Sequence, residues 1–306
     1  MASIRSRLAY RYLKFLLARA RQLNPTLEQR RSAADKGSPL LSTPKLITVE
    51  EIVMHGIEGE WLRPKSVTGP GIILYFHGGA YVFGSIKSHR RLAAHLASAA
   101  RLPVFIFNYR LAPEFPFPAA LEDAVAIYCA QLTDHPNVPI ALAGDSAGAG
   151  LALAVALTLR DRRIAGPRAL ALMSPWTNLV LDNPTHITNA AIDPFFPDPS
   201  ILTSSAASYA AGRDLHHPLI SPQFADLSRL PATLIHVGDR ETLLDDARQF
   251  YQIMQSQSGD VNLKIFPDMW HVWQIFVGLF PEADLSVAEL GEFIQRHLNG
   301  AIHNEN

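Results

Sequence analysis

The sequence predicts an α/β protein with a mostly parallel central sheet that helices cover on both faces. From about residue 70, short apolar segments rich in β-branched and aromatic residues alternate with longer helical segments. The chain has 306 residues, 48% of them hydrophobic and 18% charged, which suits a soluble protein with one large core. It contains no internal repeat and no Gly/Ser linker, so we expect one α/β unit rather than several domains.

The elements of this unit follow one another in a regular order. Strands are predicted over residues 71–79, 101–110, 139–144, 168–174, 232–238 and 261–267. Helices are predicted over residues 117–132, 149–163, 243–256 and 286–298. Prolines precede the first of these helices, and proline is favoured in a first helical turn. Such alternation is typical of parallel strands joined by crossover helices.

The alternation stops between residues 173 and 231. This stretch contains prolines, aromatic residues and small polar residues, with one weak helix predicted over residues 201–209. A long insertion in a compact α/β protein is usually functional. We therefore expect it to form, with the N-terminal helices, a lid over the carboxyl edge of the sheet.

The first 23 residues combine basic side chains with apolar residues at Ile4, Leu8, Phe15 and Leu16. The longest uncharged apolar run is too short for a signal peptide, and no segment approaches the ~20 apolar residues of a membrane span. The spacing instead predicts an amphipathic helix. We expect this helix to dock on the body of the protein; a membrane-surface helix is the alternative that its basic residues permit.

Composition excludes several classes of partner. A formal net charge of −1 gives no electrostatic reason to expect nucleic acid. Cys129 is the single cysteine, so no intrachain disulfide can form, and we expect a packed, inert thiol and a cytoplasmic protein. There is neither a zinc-finger spacing nor a phosphate-binding G-x-x-x-x-G-K-[ST] motif, so neither a metal ion nor another cofactor is expected.

The stretch "GDSAG" places Ser146 between Gly144 and Gly148, where a predicted strand ends and a helix begins. G-x-S-x-G in this context is the nucleophile elbow, a strained turn that lifts a serine hydroxyl above the sheet. The alternative is a purely structural turn. Because the sequence predicts both the strand before Ser146 and the helix after it, the pattern favours a nucleophilic serine.

A nucleophilic serine requires a histidine base, and chain position selects one of twelve histidines. His271 lies in a loop just past the last predicted strand and downstream of candidate acids. The structural alternative is a histidine packed among tryptophans, which its loop position disfavours. Other histidines lie in a strand (His236), in the insertion (His216 and His217) or in and after the last helix (His297 and His303).

The acid that orients the base should follow the strand "ATLIHVG". Four carboxylates lie there, of which Asp245 and Asp246 fall at the start of a helix, a common place for acidic residues. Asp239 and Glu241 remain in the loop, and spacing does not separate them.

Backbone donors for an oxyanion are predicted after the first strand of the regular pattern. The segment "HGGA" brings Gly78 and Gly79 to the strand end, where glycines let N–H groups approach a ligand. With the N–H of Ala147 they would form an oxyanion hole, in which one donor is typically worth ~3 to 4 kcal/mol of barrier.

Six segments in order resemble the hormone-sensitive-lipase family of α/β-hydrolases, the bacterial short-chain carboxylesterases: "HGGAYVFGS", "NYRLAPEFPFPAALED", "GDSAGAG", "SPWTNL", "HVGDRETLLDD" and "FPDMWHVWQ". The resemblance covers residue 70 to the end and implies an α/β-hydrolase fold. It implies residues 1–45 as the N-terminal helical part of a cap. Residues 46–306 would be the catalytic domain, with a cap insertion at about 183–214.

The same resemblance implies residue roles: Ser146 as nucleophile, His271 as base, and Gly78, Gly79 and Ala147 as the oxyanion hole. The family usually has an aspartate at the position of Glu241, which makes Glu241 the acid and leaves Asp239 as the alternative. Ala80 replaces a third glycine, and its small side chain should be tolerated.

The expected function is therefore that of a cofactor-free and metal-free serine carboxylesterase acting on short- to medium-chain acyl esters. Three alternatives stay open: a lactone, amide or carbamate hydrolase with the same triad, a ligand-binding receptor on the same scaffold, and a thioester-processing acyltransferase. The presence of His271 counts against the receptor. The expected partner is a small ester, and the family suggests a homodimer.

Overall fold

A computed structural model describes residues 2–36, 43–44 and 46–299. Eight strands lie along the described chain: β1 (Ile47–Met54), β2 (Ile57–Pro64), β3 (Ile72–Phe76), β4 (Val104–Phe107), β5 (Ile140–Asp145), β6 (Ala169–Met173), β7 (Ala232–Gly238) and β8 (Val261–Phe266). The α-helices are α1 (Ile4–Gln22), α2 (Leu27–Lys36), α3 (Ile86–Ala100), α4 (Ala119–Asp134), α5 (Ala147–Asp161), α6 (Thr185–Thr188), α7 (Ser200–Ala210), α8 (Leu244–Ser256) and α9 (Pro281–Asn299).

The strands form one sheet in the order β1-β2-β4-β3-β5-β6-β7-β8. β1 and β2 pair antiparallel, and β2 pairs antiparallel with β4. The remaining pairs are parallel. Their carboxyl ends therefore share one edge, with β5 near the middle of the sheet. The predicted fold class, a mostly parallel sheet between helices, is confirmed.

Helices cover the sheet on both faces. Every residue of β3, β4, β5 and β6 is buried. Side chains of α4, α5 and α8 pack on one face in a cluster that includes Leu74 and Phe76. Side chains of α3 and α9 pack on the other face with Ile73 and Tyr75. The alternation along β3 follows from the two-residue period of a strand, and it explains the continuous apolar runs.

Four elements differ from the prediction: the strands β1 and β2 and the helices α3 and α6 are present but were not predicted. β1 and β2 meet at His55 and Gly56, whose φ angles of 52° and 79° suit a two-residue hairpin turn. The dipeptide His-Gly is a weaker signal for such a turn than Asn-Gly, and Glu50 and Glu51 make the edge strand polar. The strands and helices that were predicted are all present, within a few residues of their predicted bounds.

The N-terminal helix α1 docks on the body, as predicted, but through a face that the sequence analysis did not select. Its four predicted apolar contacts, Ile4, Leu8, Phe15 and Leu16, are all exposed. The opposite side of the helix makes the contact. Tyr10 and Leu13 pack against the core, Ser3 Oγ donates to Glu282 Oε2 at 2.9 Å, and other side chains of α1 reach the insertion.

Other sequence-based expectations fall on particular helices and strands. His236 lies in β7 and His297 in α9, as predicted, whereas the prediction for His303 falls outside the described residues. Cys129 is half-buried on α4. Within the described ranges, no helix is both long and apolar enough to cross a membrane.

Candidate active site

Ser146 occupies the turn between β5 and α5 with φ 54° and ψ −122°. A non-glycine residue pays about 1 to 3 kcal/mol for such a conformation, so surrounding contacts must hold it. The Ser146 N–H donates to Met173 O at 2.9 Å, and Ser146 O accepts from Trp176 N at 3.0 Å. The end of β6 therefore fixes the strained turn from the side.

The two glycines of "GDSAG" are required by the close approach of backbone around this turn. A Cβ on Gly148 would lie 2.1 Å from Phe76 O, at the end of β3. A Cβ on Gly144 would lie 2.7 Å from the Gly148 carbonyl. The first contact is with the main chain of β3 and the second with the main chain of α5, so a side chain at either position would push strand and helix apart, which explains the G-x-S-x-G spacing physically.

His271 lies in the loop after β8, and its ring faces the serine. His271 Nε2 and Ser146 Oγ are 3.0 Å apart, a hydrogen-bonding distance. Both side chains are buried, with exposed fractions of 4% and 3%. The next residue, Val272, has φ 46°, a sharp turn for a β-branched residue. The structure thus brings together the serine and the histidine that sequence position selected.

Glu241, rather than Asp239, reaches the far side of the imidazole. Glu241 Oε1 lies 3.5 Å from His271 Nδ1, and neither atom forms a hydrogen bond with another group of the described residues. Glu241 is fully buried, whereas Asp239 is exposed and accepts a hydrogen bond from Asp268 N at 2.7 Å. Of the two carboxylates that the sequence left open, only Glu241 has the geometry to orient His271.

Ser174, which the sequence did not indicate, connects Glu241 to the loop that carries His271. Its hydroxyl donates to Glu241 Oε2 at 2.8 Å and accepts from Val272 N at 3.1 Å. The same Oε2 atom also accepts from Gly238 N at 3.0 Å. Ser174 directly follows β6, just as Ser146 follows β5, and this shared position at the strand ends is the signal that could have identified it.

The predicted oxyanion donors divide into two groups. Within the described residues, the N–H groups of Gly79 and Ala147 donate to no protein acceptor. The Gly78 N–H instead donates to Asp145 Oδ1 at 3.0 Å, which differs from the prediction. A Cβ on Gly78 would lie 2.1 Å from Asp145 Oδ2, so this glycine permits a close approach rather than leaving a free donor.

Asp145 anchors the glycine loop beneath the serine. Besides the Gly78 N–H, it accepts from the Tyr75 hydroxyl at 2.7 Å and lies 3.3 Å from His89 Nε2. Burial would raise its pKa, but His89 and the Tyr75 hydroxyl outweigh burial and lower the pKa of Asp145. Because Asp145 directly precedes Ser146, its hydrogen bond to Gly78 holds the glycine loop close to the serine.

The electrostatics of the His271–Glu241 pair favour a proton on the imidazole. Burial alone would lower the pKa of His271, but the carboxylate of Glu241 outweighs it and raises that pKa. Burial also raises the pKa of Glu241, against the opposing effect of His271. An imidazole that gains basicity from a buried carboxylate suits a general base.

A cavity of about 450 Å³ opens onto Ser146 and His271. Apolar side chains from several elements line it, including Leu13 of α1 and the pair Phe195 and Phe196 of the insertion. The ring centroid of Phe196 is 4.9 Å from that of His271. The volume falls in the range of small-molecule sites, and the apolar part of the lining suits an acyl chain or an apolar alcohol.

Asp193, which the sequence also did not indicate, connects the insertion to the loop that carries Glu241. This fully buried carboxylate accepts from the N–H and the hydroxyl of Thr242, both at 2.9 Å. Its other oxygen accepts from Phe195 N at 2.9 Å. The aromatic residues over His271 are therefore positioned by a contact to the residue after Glu241.

No group of three or more His, Cys, Asp or Glu side chains in the described part of the chain is arranged to hold a metal ion. A serine, an imidazole and a carboxylate in line at a strand–turn–helix junction define the class of α/β serine hydrolases.

Comparisons with known proteins agree with this class. The profile of the α/β hydrolase fold family matches residues 73–275. An acetyl-hydrolase of Streptomyces hygroscopicus is 38% identical over 89% of this chain and 91% of its own. An esterase of Acinetobacter venetianus is 32% identical over 92% of this chain and 93% of its own. The crystal structure of a hormone-sensitive lipase from a metagenome library superposes with a TM-score of 0.91, at 34% identity, over 97% of this chain and 99% of that chain.

The chain therefore belongs to the α/β-hydrolase family, within the group of bacterial esterases similar to hormone-sensitive lipase. The resemblance stated from six sequence segments is confirmed, and with it the expectation of a carboxylic ester hydrolase.

Proposed function

We propose that the chain hydrolyses short- to medium-chain acyl esters through an acyl-enzyme on Ser146. The single observation that carries the proposal is the alignment of Ser146 Oγ, His271 and Glu241, with 3.0 Å and 3.5 Å between successive polar atoms. All three groups are buried next to the cavity or behind it. A buried alignment of this kind serves proton transfer during acyl transfer.

The steps follow from the positions of these groups. His271 Nε2 takes the proton of Ser146 as Oγ attacks the ester carbonyl, and Glu241 stabilises the imidazolium that forms. The N–H groups of Gly79 and Ala147 stabilise the oxyanion. The imidazolium then protonates the leaving alcohol. Water, deprotonated by the same histidine, attacks the acyl-enzyme. The acyl–Oγ bond breaks, the imidazolium returns the proton to Ser146 Oγ, and the carboxylic acid is released.

The acyl range is supported by cavity size and by relatives. A cavity of about 450 Å³, lined by apolar and polar side chains, accommodates a short or medium chain. One relative is named an acetyl-hydrolase, and a similar solved structure, EstE5, 37% identical, was soaked with p-nitrophenyl butyrate. Both names concern short acyl groups, which this chain is proposed to accept as well.

We also propose that residues 1–45 and the insertion at about 183–214 form a cap over the catalytic domain, residues 46–306. Among the described residues, α1 is joined to the insertion by three hydrogen bonds to main-chain carbonyls. They run from Tyr10 to Ile192 O, from Lys14 to Ala191 O and from Arg21 to Pro194 O. Leu13 and Phe196 of these two segments both line the cavity.

A panel of p-nitrophenyl esters of increasing acyl length, measured with wild type and Ser146→Ala, tests the proposal. We expect turnover to be highest for short and medium chains and to fall by a factor on the order of 10⁶ in kcat in the variant. Equal melting temperatures of the two proteins serve as the folding control. Undiminished turnover in Ser146→Ala would contradict the assignment of the nucleophile.

The same panel, extended to a lactone, an anilide and a carbamate, separates the alternative leaving groups. Faster turnover of any of these than of every ester would replace the ester assignment. Absence of turnover with binding of an ester analogue would favour the receptor, and transfer of acyl groups to an alcohol in preference to water would favour the acyltransferase. The cytoplasmic location and the homodimer stay predictions, for cell fractionation and light scattering to test.

A further inference from the structure

The outward face of α1 carries a row of large apolar side chains. Ile4, Leu8, Tyr12 and Phe15 are 76%, 61%, 65% and 61% exposed. Their spacing of three or four residues places them along one side of the helix. We call these four residues the outer stripe. A row of this size outside the core of a protein marks an interaction surface.

The outer stripe is not the side of α1 that packs against the rest of the protein. α1 is already held on the body by its opposite side, through Ser6, Tyr10 and Leu13. The ring centroids of Tyr10 and the buried Trp270 are 5.7 Å apart. Rotating α1 to bury the outer stripe would break these contacts. The outer stripe therefore faces away from the protein while the helix stays docked.

Positive charge flanks the outer stripe. Residues 1–27 contain six Arg or Lys residues and no Asp or Glu, although the whole chain has a formal net charge of −1. Arg5 and Arg11 lie on either side of the outer stripe, at helical positions of about 100° per residue. Within the described residues, Arg5, Arg7, Arg11 and Arg19 are exposed and form no ion pair.

We propose that α1 docks the protein on an anionic lipid bilayer, with the outer stripe among the headgroups and acyl ends and the arginines on lipid phosphates. An amphipathic helix with large apolar side chains and a basic border has this chemistry. Tyr12 suits the interface because its ring is apolar and its hydroxyl polar. α1 also contributes Leu13 to the cavity that holds Ser146, so one helix borders both the bilayer and the cavity.

A second copy of the chain fits the outer stripe less well. In a two-fold dimer the same patch meets itself, so the arginines of one α1 would face those of the other. Like charges at such a contact repel, whereas an anionic bilayer neutralises them. The charge on α1 thus selects the lipid surface. The proposal does not depend on the esterase mechanism, because Ser146→Ala leaves α1 unchanged.

Sedimentation with vesicles tests the proposal. We expect the wild-type protein to bind vesicles of phosphatidylcholine mixed with phosphatidylglycerol, to bind pure phosphatidylcholine at least about tenfold more weakly, and to be released by salt. Leu8→Ser combined with Phe15→Ser, and separately Arg5→Gln combined with Arg11→Gln, should each lower the partition coefficient by about tenfold or more. All four side chains are exposed, so folding and turnover of a soluble ester should be unchanged.

Matched controls remove the same chemistry elsewhere. Val67→Ser removes an apolar side chain that is 49% exposed, and Arg162→Gln combined with Arg163→Gln removes two exposed cations. Both controls should bind anionic vesicles like the wild type. The proposal is wrong if the wild type binds no vesicle, if controls and α1 variants lose binding equally, or if light scattering finds a dimer that Leu8→Ser with Phe15→Ser converts to a monomer.

Discussion

The edge of the sheet that carries the proposed triad and the cap above it are built by different kinds of contact. At the sheet edge, Ser146, Ser174 and Glu241 lie just past β5, β6 and β7, and main-chain hydrogen bonds and buried side chains set their positions. In the cap, α1 is tied to the insertion largely by side chains that donate to main-chain carbonyls. The first kind of contact fixes atoms for chemistry, and the second positions a surface.

This difference predicts where substitutions act. Changes at the sheet edge should lower kcat, because they move or remove groups that act in the transition state. Changes in the cap should alter KM and surface binding, because the cap touches the substrate without transferring protons. The outer stripe of α1 extends the contrast, since changes there should alter surface binding but neither kcat nor KM for a soluble ester.

The largest effect is expected for the acid. Glu241→Gln should lower kcat on the order of 10⁴-fold, because an amide neither stabilises the imidazolium nor selects the correct tautomer of His271. Asp239→Asn should change kcat less than about twofold, since that carboxylate is exposed and contacts Asp268 N. Steady-state kinetics of the two variants on one p-nitrophenyl ester decide the matter. A greater loss in Asp239→Asn would reverse the assignment.

Ser174 should have the next largest effect. Ser174→Ala removes a hydrogen bond to the buried Glu241 carboxylate and another from Val272 N, so kcat should fall about 10- to 100-fold with little change in KM. Ser205→Ala, which removes a buried serine hydroxyl from α7, is the control and should retain kcat. A loss confined to KM or to the melting temperature would contradict a positioning role for Ser174.

A smaller effect is expected at the junction of cap and sheet edge. Asp193→Asn replaces an acceptor of Thr242 and Phe195 by a donor group, which should loosen the aromatic pair over His271. We expect kcat/KM to fall about 3- to 10-fold, mainly through KM. Asp198→Asn changes an exposed carboxylate of the same insertion and should have no effect. A fall in kcat at constant KM would assign Asp193 to the chemistry instead.

The residues at the sheet edge were largely predictable from sequence, because they directly follow strands that the apolar pattern predicts. Gly144 and Gly148 report a close backbone approach through their lack of a side chain, and His271 follows a strand in the expected chain order. Spacing left Asp239 and Glu241 unresolved, since both lie in one loop and only the fold shows which is buried. The prediction for Gly78 differed from the structure, because its N–H donates to the buried carboxylate of Asp145 and the sequence motif does not show this hydrogen bond.

The cap was less predictable for a physical reason. Its contacts use main-chain carbonyls of Ala191, Ile192 and Pro194, and every residue has a carbonyl, so no side-chain pattern marks the acceptor. The apolar residues of α1 predicted a docked helix, yet Leu8 and Phe15 lie outside. An amphipathic pattern reports that a helix has an apolar side, but it does not report what covers that side.

The smallest expected effect is a shift in the pH dependence of kcat/KM, and it tests directly whether Glu241 sets the pKa of His271. Glu241 raises the pKa of His271 above its ordinary value of 6.5. The base must be neutral to accept the serine proton, so kcat/KM should fall as the pH drops through that raised pKa. In Glu241→Gln the carboxylate is lost while burial stays, so the acidic limb should move to lower pH. An unmoved limb would mean that another group sets the pKa of His271.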